Sequence, residues 1–226
     1  MVDIRGRLCS AENKSNSVKL LGLTQREDVW APYNERRDAL DSRWGLFCET
    51  IGVVPIPIPN APRLTSSLLE SVCFDGFILT GGAGPYDHER ASGQAKTSRD
   101  FCEDMILDRA VRKNIPIVGV CRGMLKINLY FGGENVNVEG HRATRHRVRT
   151  YRENKKDSVR FVNSFHNLGI SNSQIAESFC VTARSEDNQI EGMDHQSKPI
   201  SGIMWHPERE IPFDDLDVQF FQRCFL

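Results

Sequence analysis

The sequence predicts an α/β fold with a central, mostly parallel sheet and helices on both faces. Two observations carry this: short apolar runs alternate with amphipathic stretches through the first half of the 226-residue chain, and only one continuous pattern of this kind is present. With 39% hydrophobic residues, the chain can bury the core of one such domain.

The elements follow in order. Residues 1–17 are polar and read as an N-terminal extension before a single domain of 18–226. Val18 to Leu23 is a first strand. From Glu35 to Ile51, the residues Leu40, Trp44, Phe47, Cys48 and Ile51 recur at spacings of three and four, which predicts one amphipathic helix ending near Gly52. Val53 to Ile58 is a second strand, whose prolines favour a strand end or an edge. A brief helix near Leu64 to Ser71 leads to a third strand, Phe74 to Leu79, stopped by Thr80-Gly81-Gly82-Ala83-Gly84. A helix from Asp100 to Lys113 precedes the apolar run Ile115 to Val120, and another helix, Arg122 to Phe131, follows it. The second half is less regular. It has a basic insertion near 134–157, strand-like runs near 159–163, 178–184 and 200–205, and an amphipathic end from Phe213 to Phe225.

Lys and Arg number 29 against 30 Asp and Glu, so the net charge of −1 gives no global drive toward nucleic acid or a membrane surface. No apolar run approaches the roughly 20 residues of a membrane span, and the first residues lack the apolar core of a secretory signal, so a cytoplasmic location is expected. Cysteines at positions 9, 48, 73, 102, 121, 180 and 224 show no paired or histidine-rich metal spacing. Neither a metal nor a disulfide framework is expected, and most of these cysteines should be buried apolar side chains.

Cys121 stands apart by its position. The run Ile-Pro-Ile-Val-Gly-Val passes directly into Cys121-Arg122-Gly123 and then into an amphipathic helix, the strand-turn-helix pattern of a nucleophile elbow with sulfur in place of oxygen. The helix N-terminus beneath it would stabilise a thiolate and offer backbone N–H groups to a developing oxyanion. A strand end carrying a core cysteine explains the glycines equally well. The tie is broken by Gly202-Ile-Met-Trp205, a strand that runs into His206-Pro207-Glu208. Pro207 holds His206 extended, so Glu208 can orient the imidazole as the third member of a Cys-His-Glu triad.

These motifs, GVCRGM and GIMW-HPE, resemble the class I glutamine amidotransferase superfamily over most of the chain. The resemblance implies that superfamily's flavodoxin-like fold, with cysteine attacking a γ-glutamyl carbonyl, histidine shuttling the proton and glutamate orienting it. It assigns the N–H groups of Gly82 and Arg122 to the oxyanion hole and places Gly81 beside the substrate. One departure is visible: the position four after the cysteine, glutamine in many members, is Leu125. Ser98-Arg99-Asp100, Val162-Asn163-Ser164-Phe165-His166 and Ala183-Arg184-Ser185 are similar to the free-standing γ-glutamyl hydrolases, including those acting on γ-glutamyl-γ-aminobutyrate. That branch implies Asn163, Ser164 and His166 as substrate-pocket residues, with a structural loop histidine as the plainer reading of His166. The segment from Asn34 to Trp44 is similar to hydrolases of γ-glutamyl-CDP-amidate, which serve capsule modification.

From His141 to Arg160 there are eight Lys or Arg residues against Glu153 and Asp157. A solvated loop accounts for such a run; overhanging the elbow, it would instead grip a pyrophosphate through arginine forks. The implied partner is a small-molecule γ-glutamyl substrate, nucleotide-linked in the narrower reading, with no cofactor and with a homodimer left open. The rivals are a glutaminase that passes ammonia to a synthetase partner and an inactive binding module on the same fold.

Overall fold

A computed structural model describes residues 18–85, 95–152 and 155–226. The polar extension 1–17 and part of the basic segment lie outside the described residues. The strands are β1 (Lys19–Thr24), β2 (Arg26–Trp30), β3 (Glu35–Ala39), β4 (Val53–Ile58), β5 (Gly76–Leu79), β6 (Ile117–Val120), β7 (Val136–Asn137), β8 (Arg142–Arg152), β9 (Lys155–Phe165), β10 (Leu168–Gly169), β11 (Phe179–Ser185), β12 (Ile190–His195) and β13 (Ile200–Ile203). The helices are α1 (Arg43–Ile51), α2 (Pro62–Ser71), α3 (Ser98–Lys113), α4 (Arg122–Tyr130) and α5 (Asp215–Phe225).

Nine strands form one mixed sheet in the order β4-β1-β5-β6-β13-β12-β11-β8-β9. The first five pair in parallel, as the alternation of strands and helices predicts, and pairing is antiparallel from β12 outward. Alternating residues on the parallel strands feed two cores. Phe77, Leu79 and Ile117 face α3 and α4 through Ile106, Leu107, Met124 and Ile127. Leu21, Leu23, Ile78, Val118 and Val120 face α1 and α5 through Trp44, Phe47, Phe221 and Phe225. Phe47 and Phe221 meet edge to face at 5.0 Å, and burying each such side chain contributes roughly 1.5–3 kcal/mol.

Three expectations change. The single helix expected from Glu35 to Ile51 is divided: residues 35–39 are β3, paired antiparallel with β2, and α1 starts only at Arg43. The cause is local. Asp41 accepts a hydrogen bond from the Arg43 backbone N–H at 3.0 Å and starts the helix there, while Asn34 takes the left-handed turn conformation (φ 49°) that closes the β2–β3 hairpin. The basic segment is likewise not a loop but the hairpin of β8 and β9, joined to the sheet through β11. Cys73 is disulfide-bonded, against the expectation of separate thiols, whereas Cys48, Cys102, Cys121, Cys180 and Cys224 are free. Among the described residues, no helix is long and apolar enough to cross a membrane.

Candidate active site

The C-terminal ends of β6 and β13 are neighbours in the sheet, and each delivers one half of the site. Cys121 follows β6 directly and adopts φ 52° and ψ −106°, a conformation that L side chains rarely hold and that stores on the order of 1–3 kcal/mol of strain. Its backbone N–H donates to the Ile203 carbonyl on β13 at 2.8 Å, and α4 starts at the next residue. The turn is tight because α4 lies almost on the sheet. A Cβ on Gly123 would sit 2.0 Å from the Leu79 carbonyl oxygen, so only glycine fits there.

His206 follows β13, is 2% exposed, and is extended before Pro207 (φ −108°, ψ 94°). Its Nδ1 lies 2.7 Å from Glu208 Oε1, which leaves Nε2 for the Cys121 thiol, near enough to act on the ring. Burial alone pulls the imidazole pKa down, but the hydrogen bond and charge of Cys121, joined by those of Glu208, raise it to about 9. In contrast, burial pushes the Cys48 and Cys224 thiols up to about 12, so neither is a ready nucleophile. The expected Cys121, His206 and Glu208 therefore come together, and Gly81 packs against the same imidazole: a Cβ there would approach His206 Cε1 to 2.5 Å.

The loop carrying Gly81 and Gly82 is fixed from α3. Arg99 donates from Nη1 to the Gly81 carbonyl at 3.0 Å and from Nη2 to the Thr80 carbonyl at 2.7 Å, while its Nε donates to Glu103 at 2.8 Å. The Arg122 side chain turns away from the cleft, donates to Asp100 at 2.7 Å and pairs with Glu103. Burial would raise the Glu103 pKa, but the Arg122 and Arg99 guanidiniums outweigh it and hold the carboxyl below its usual range. One buried ion cluster thus ties the glycine loop to the elbow. Sequence reading missed the roles of Arg99, Asp100 and Glu103; the signal was two opposite charges, four residues apart, on the buried face of an amphipathic helix.

Of the remaining expected residues, Asn163 stays at the site and Ser164 and His166 turn toward His141. The Asn163 side chain clamps the backbone of His206, accepting from its N–H at 2.9 Å and donating to its carbonyl at 2.8 Å. Ser164 donates to the His141 carbonyl at 2.6 Å and is buried behind the hairpin. His166 is also buried and turns toward His141, with Nδ1 2.8 Å from the Leu168 carbonyl. Phe165, between them, faces the His206 ring edge-on at 5.7 Å. Leu125 lies in the apolar core.

A small cleft at the mouth is lined by Arg26 and Ala39 of the β2–β3 hairpin together with Thr80, Gly81, Gly82 and Arg209. Beside it, a cavity of about 420 Å³ is bounded by Ala143, Thr144, Arg145, Asn163, Phe165 and Arg209.

A cysteine on a strained elbow after one parallel strand, facing a His-Glu pair after the next, defines this molecule as a protein of the class I glutamine amidotransferase fold. A glutamine amidotransferase from Thermotoga maritima superposes with a TM-score of 0.62 at 14% identity, over 92% of this chain and 84% of that one. The chain belongs to the peptidase C26 family, whose sequence model matches residues 19–208. It is 29% identical to γ-glutamyl-CDP-amidate hydrolase of Campylobacter jejuni, over 88% of this chain and 94% of that protein. It is also 30% identical to a glutamine-hydrolysing GMP synthase subunit from Methanocaldococcus jannaschii, over 70% and 77% of the two chains.

Proposed function

We propose that this protein is a cysteine-dependent hydrolase of a γ-glutamyl amide bond. The observation that carries the reading is the buried contact of Cys121 with an imidazole whose pKa is raised to about 9 and whose other nitrogen is held by Glu208. An imidazole held in this way can take the proton of the thiol and so supply the attacking thiolate. The Cys121 thiolate attacks the γ-carbonyl, and the tetrahedral oxyanion is held by the backbone N–H groups of Gly82 and Arg122. His206 then gives its proton to the departing nitrogen as the C–N bond breaks and a thioester forms. Water attacks the thioester, its proton passes to His206, and glutamate leaves with regeneration of the thiolate.

The leaving group occupies the cavity beside Phe165, where Arg145 and Arg209 bring two guanidiniums to the rim. Arg145 is half exposed and pairs with Glu210 at 2.8 Å, a surface contact that an incoming anion displaces at little cost. A pyrophosphate suits this rim; an uncharged amine does not need it. The substrate is therefore γ-glutamyl-CDP-amidate, released as glutamate and cytidine diphosphoramidate for surface-polysaccharide modification, in line with the Campylobacter relative. Because Leu125 puts no polar group at its position on α4, free glutamine lacks one of its usual holds. Delivery of ammonia to a synthetase partner remains the second reading, favoured by the Methanocaldococcus relative.

Purified protein offered γ-glutamyl-CDP-amidate, γ-glutamyl-γ-aminobutyrate and glutamine in parallel should release glutamate fastest from the first, with no partner added. Preference for glutamine with ammonia release would overturn the substrate assignment. Failure of an electrophilic glutamine analogue to form an adduct at Cys121, read by intact mass, would overturn the enzyme reading and leave a binding module.

A further inference from the structure

Behind the active-site hairpin, β12 and the ends of β8 and β9 gather a second set of titratable side chains. Glu191 is 0% exposed, and neither of its carboxylate oxygens has a hydrogen-bond partner among the described residues. Three imidazoles surround it. His141 Nδ1 and His166 Nε2 lie 3.4 and 3.6 Å from Oε1, and His146 Nε2 lies 3.5 Å from Oε2, itself buried and without a hydrogen bond. His141 Nδ1 and His166 Nε2 are 3.3 Å apart. The ligating atoms of His141, His146 and Glu191 all fall within 4.8 Å of one another.

The outer nitrogens decide which lone pairs point inward. His166 Nδ1 is 2.8 Å from the Leu168 carbonyl, which only accepts, so this nitrogen carries the hydrogen and neutral Nε2 is a bare lone pair. His141 Nε2 is 3.0 Å from the Asp187 carboxylate, and its Nδ1, 3.3 Å from His166 Nε2, is open to a metal ion once it has lost its proton. Two imidazole nitrogens therefore face each other and a buried carboxylate. Hydrogen bonds would draw these atoms to about 2.7–3.2 Å. A tetrahedral zinc ion, with bonds of roughly 2.0–2.1 Å, spaces its ligand atoms about 3.3–3.4 Å apart; the shortest contacts here are 3.3–3.6 Å, to one or the other Glu191 oxygen, within a group that spans 4.8 Å.

We propose that His141, His146, His166 and Glu191 form a structural site for a divalent transition-metal ion, zinc above all. Imidazole and carboxylate donors suit that ion, four protein ligands close its shell, and Asp187 and the Leu168 carbonyl supply the outer hydrogen bonds that orient metal-bound histidines. The Glu191 carbonyl accepts from Met204 N–H at 2.9 Å, two residues before His206, so the ion would stiffen the strand ends that present the histidine without touching the reacting atoms. The ligand spacing along the chain contains no short metal motif, which is why the sequence gives no hint of it.

The test uses the full chain carrying Cys121→Ala, which removes the active-site thiol as a competing ligand and makes the result independent of any catalytic activity. Stripped protein is dialysed against buffered Zn²⁺, then analysed for bound metal and thermal unfolding, and Co²⁺ is substituted for its visible spectrum. Expected are one ion per chain, a rise in Tm, and a tetrahedral Co²⁺ spectrum without thiolate charge transfer. Glu191→Gln should abolish binding. Should that variant misfold, Asp187→Asn at an outer, half-exposed position provides the second arm, and should weaken binding about 10–100-fold. No bound ion in folded protein at micromolar free Zn²⁺, or unchanged affinity in Asp187→Asn, overturns the proposal and leaves an imidazolium-carboxylate cluster, visible by NMR as doubly protonated His141.

Discussion

At Cys121 two demands meet in one residue: the attack on a carbonyl that the proposed reaction asks of its side chain and a backbone conformation (φ 52°) that disfavours any side chain at all. Cys121→Ser should abolish glutamate release while leaving thermal unfolding nearly unchanged. Cys121→Gly should be more stable than Cys121→Ala by about 1 kcal/mol, because glycine relieves the positive φ; equal stabilities in urea titrations would show that the elbow is unstrained. The imidazole beside it sets the pH response. With its pKa raised to about 9, His206 is the proton donor below that pH, so kcat/KM should fall as pH rises through about 9. Glu208→Gln should move this limb to lower pH. The same shift is linked to stability: the folded pKa lies above the unfolded value of about 6.5, so the contribution is complete below about 6.5 and is lost as pH rises through 9. Cys121→Ala, which removes one cause of the shift, should flatten the dependence of unfolding free energy on pH across that window.

Among the elements, α3 does the least visible work and holds the most. Its Arg99 and Glu103, with Arg122 from α4, form a buried ion cluster that fixes both the glycine loop and the start of α4. Glu103→Gln leaves Arg99 buried against a neutral amide, with Asp100 still paired to Arg122, and should cost roughly 3–5 kcal/mol in denaturant unfolding. A loss below 1 kcal/mol would mean that water already reaches the cluster. The helices and parallel strands were legible in the sequence because their apolar residues recur with helical or strand periods on faces that are buried. The β2–β3 hairpin was not, since most of its strand residues are exposed and none is buried, which leaves no burial pattern to distinguish it from the charged first turns of a helix. The β8 strand was hidden for the same reason, its arginines lying near an edge of the sheet. Cys121, His206 and Glu208 were legible because each sits in a short motif at a strand end. Asn163 was read as a substrate-pocket residue and lines the cavity beside Phe165; its clamp on His206 depends on a tertiary approach that no local pattern encodes.

On the scale of the whole molecule, that clamp joins the two halves of the sheet. β9 is the edge strand farthest from β4, yet its Asn163 reaches the end of β13, and its Arg160 forms a two-pronged pair with Asp217 on α5 at 2.8 Å. The antiparallel half therefore curls back over the catalytic end of the parallel half. Asn163→Ala should lower kcat by roughly 10- to 100-fold with little change in KM, since the reacting group is displaced by a small distance and not removed; a change confined to KM would instead mean that Asn163 acts by touching substrate in the cavity it lines. The curl also sets an order of events during synthesis. Cys121 is made more than eighty residues before His206 and Glu208, so a nascent chain carries an ordinary thiol until its last strand and the hairpin have docked. On the proposed reading, nucleophilicity is thus withheld until folding is complete, and a half-made chain has no armed cysteine to react with stray electrophiles.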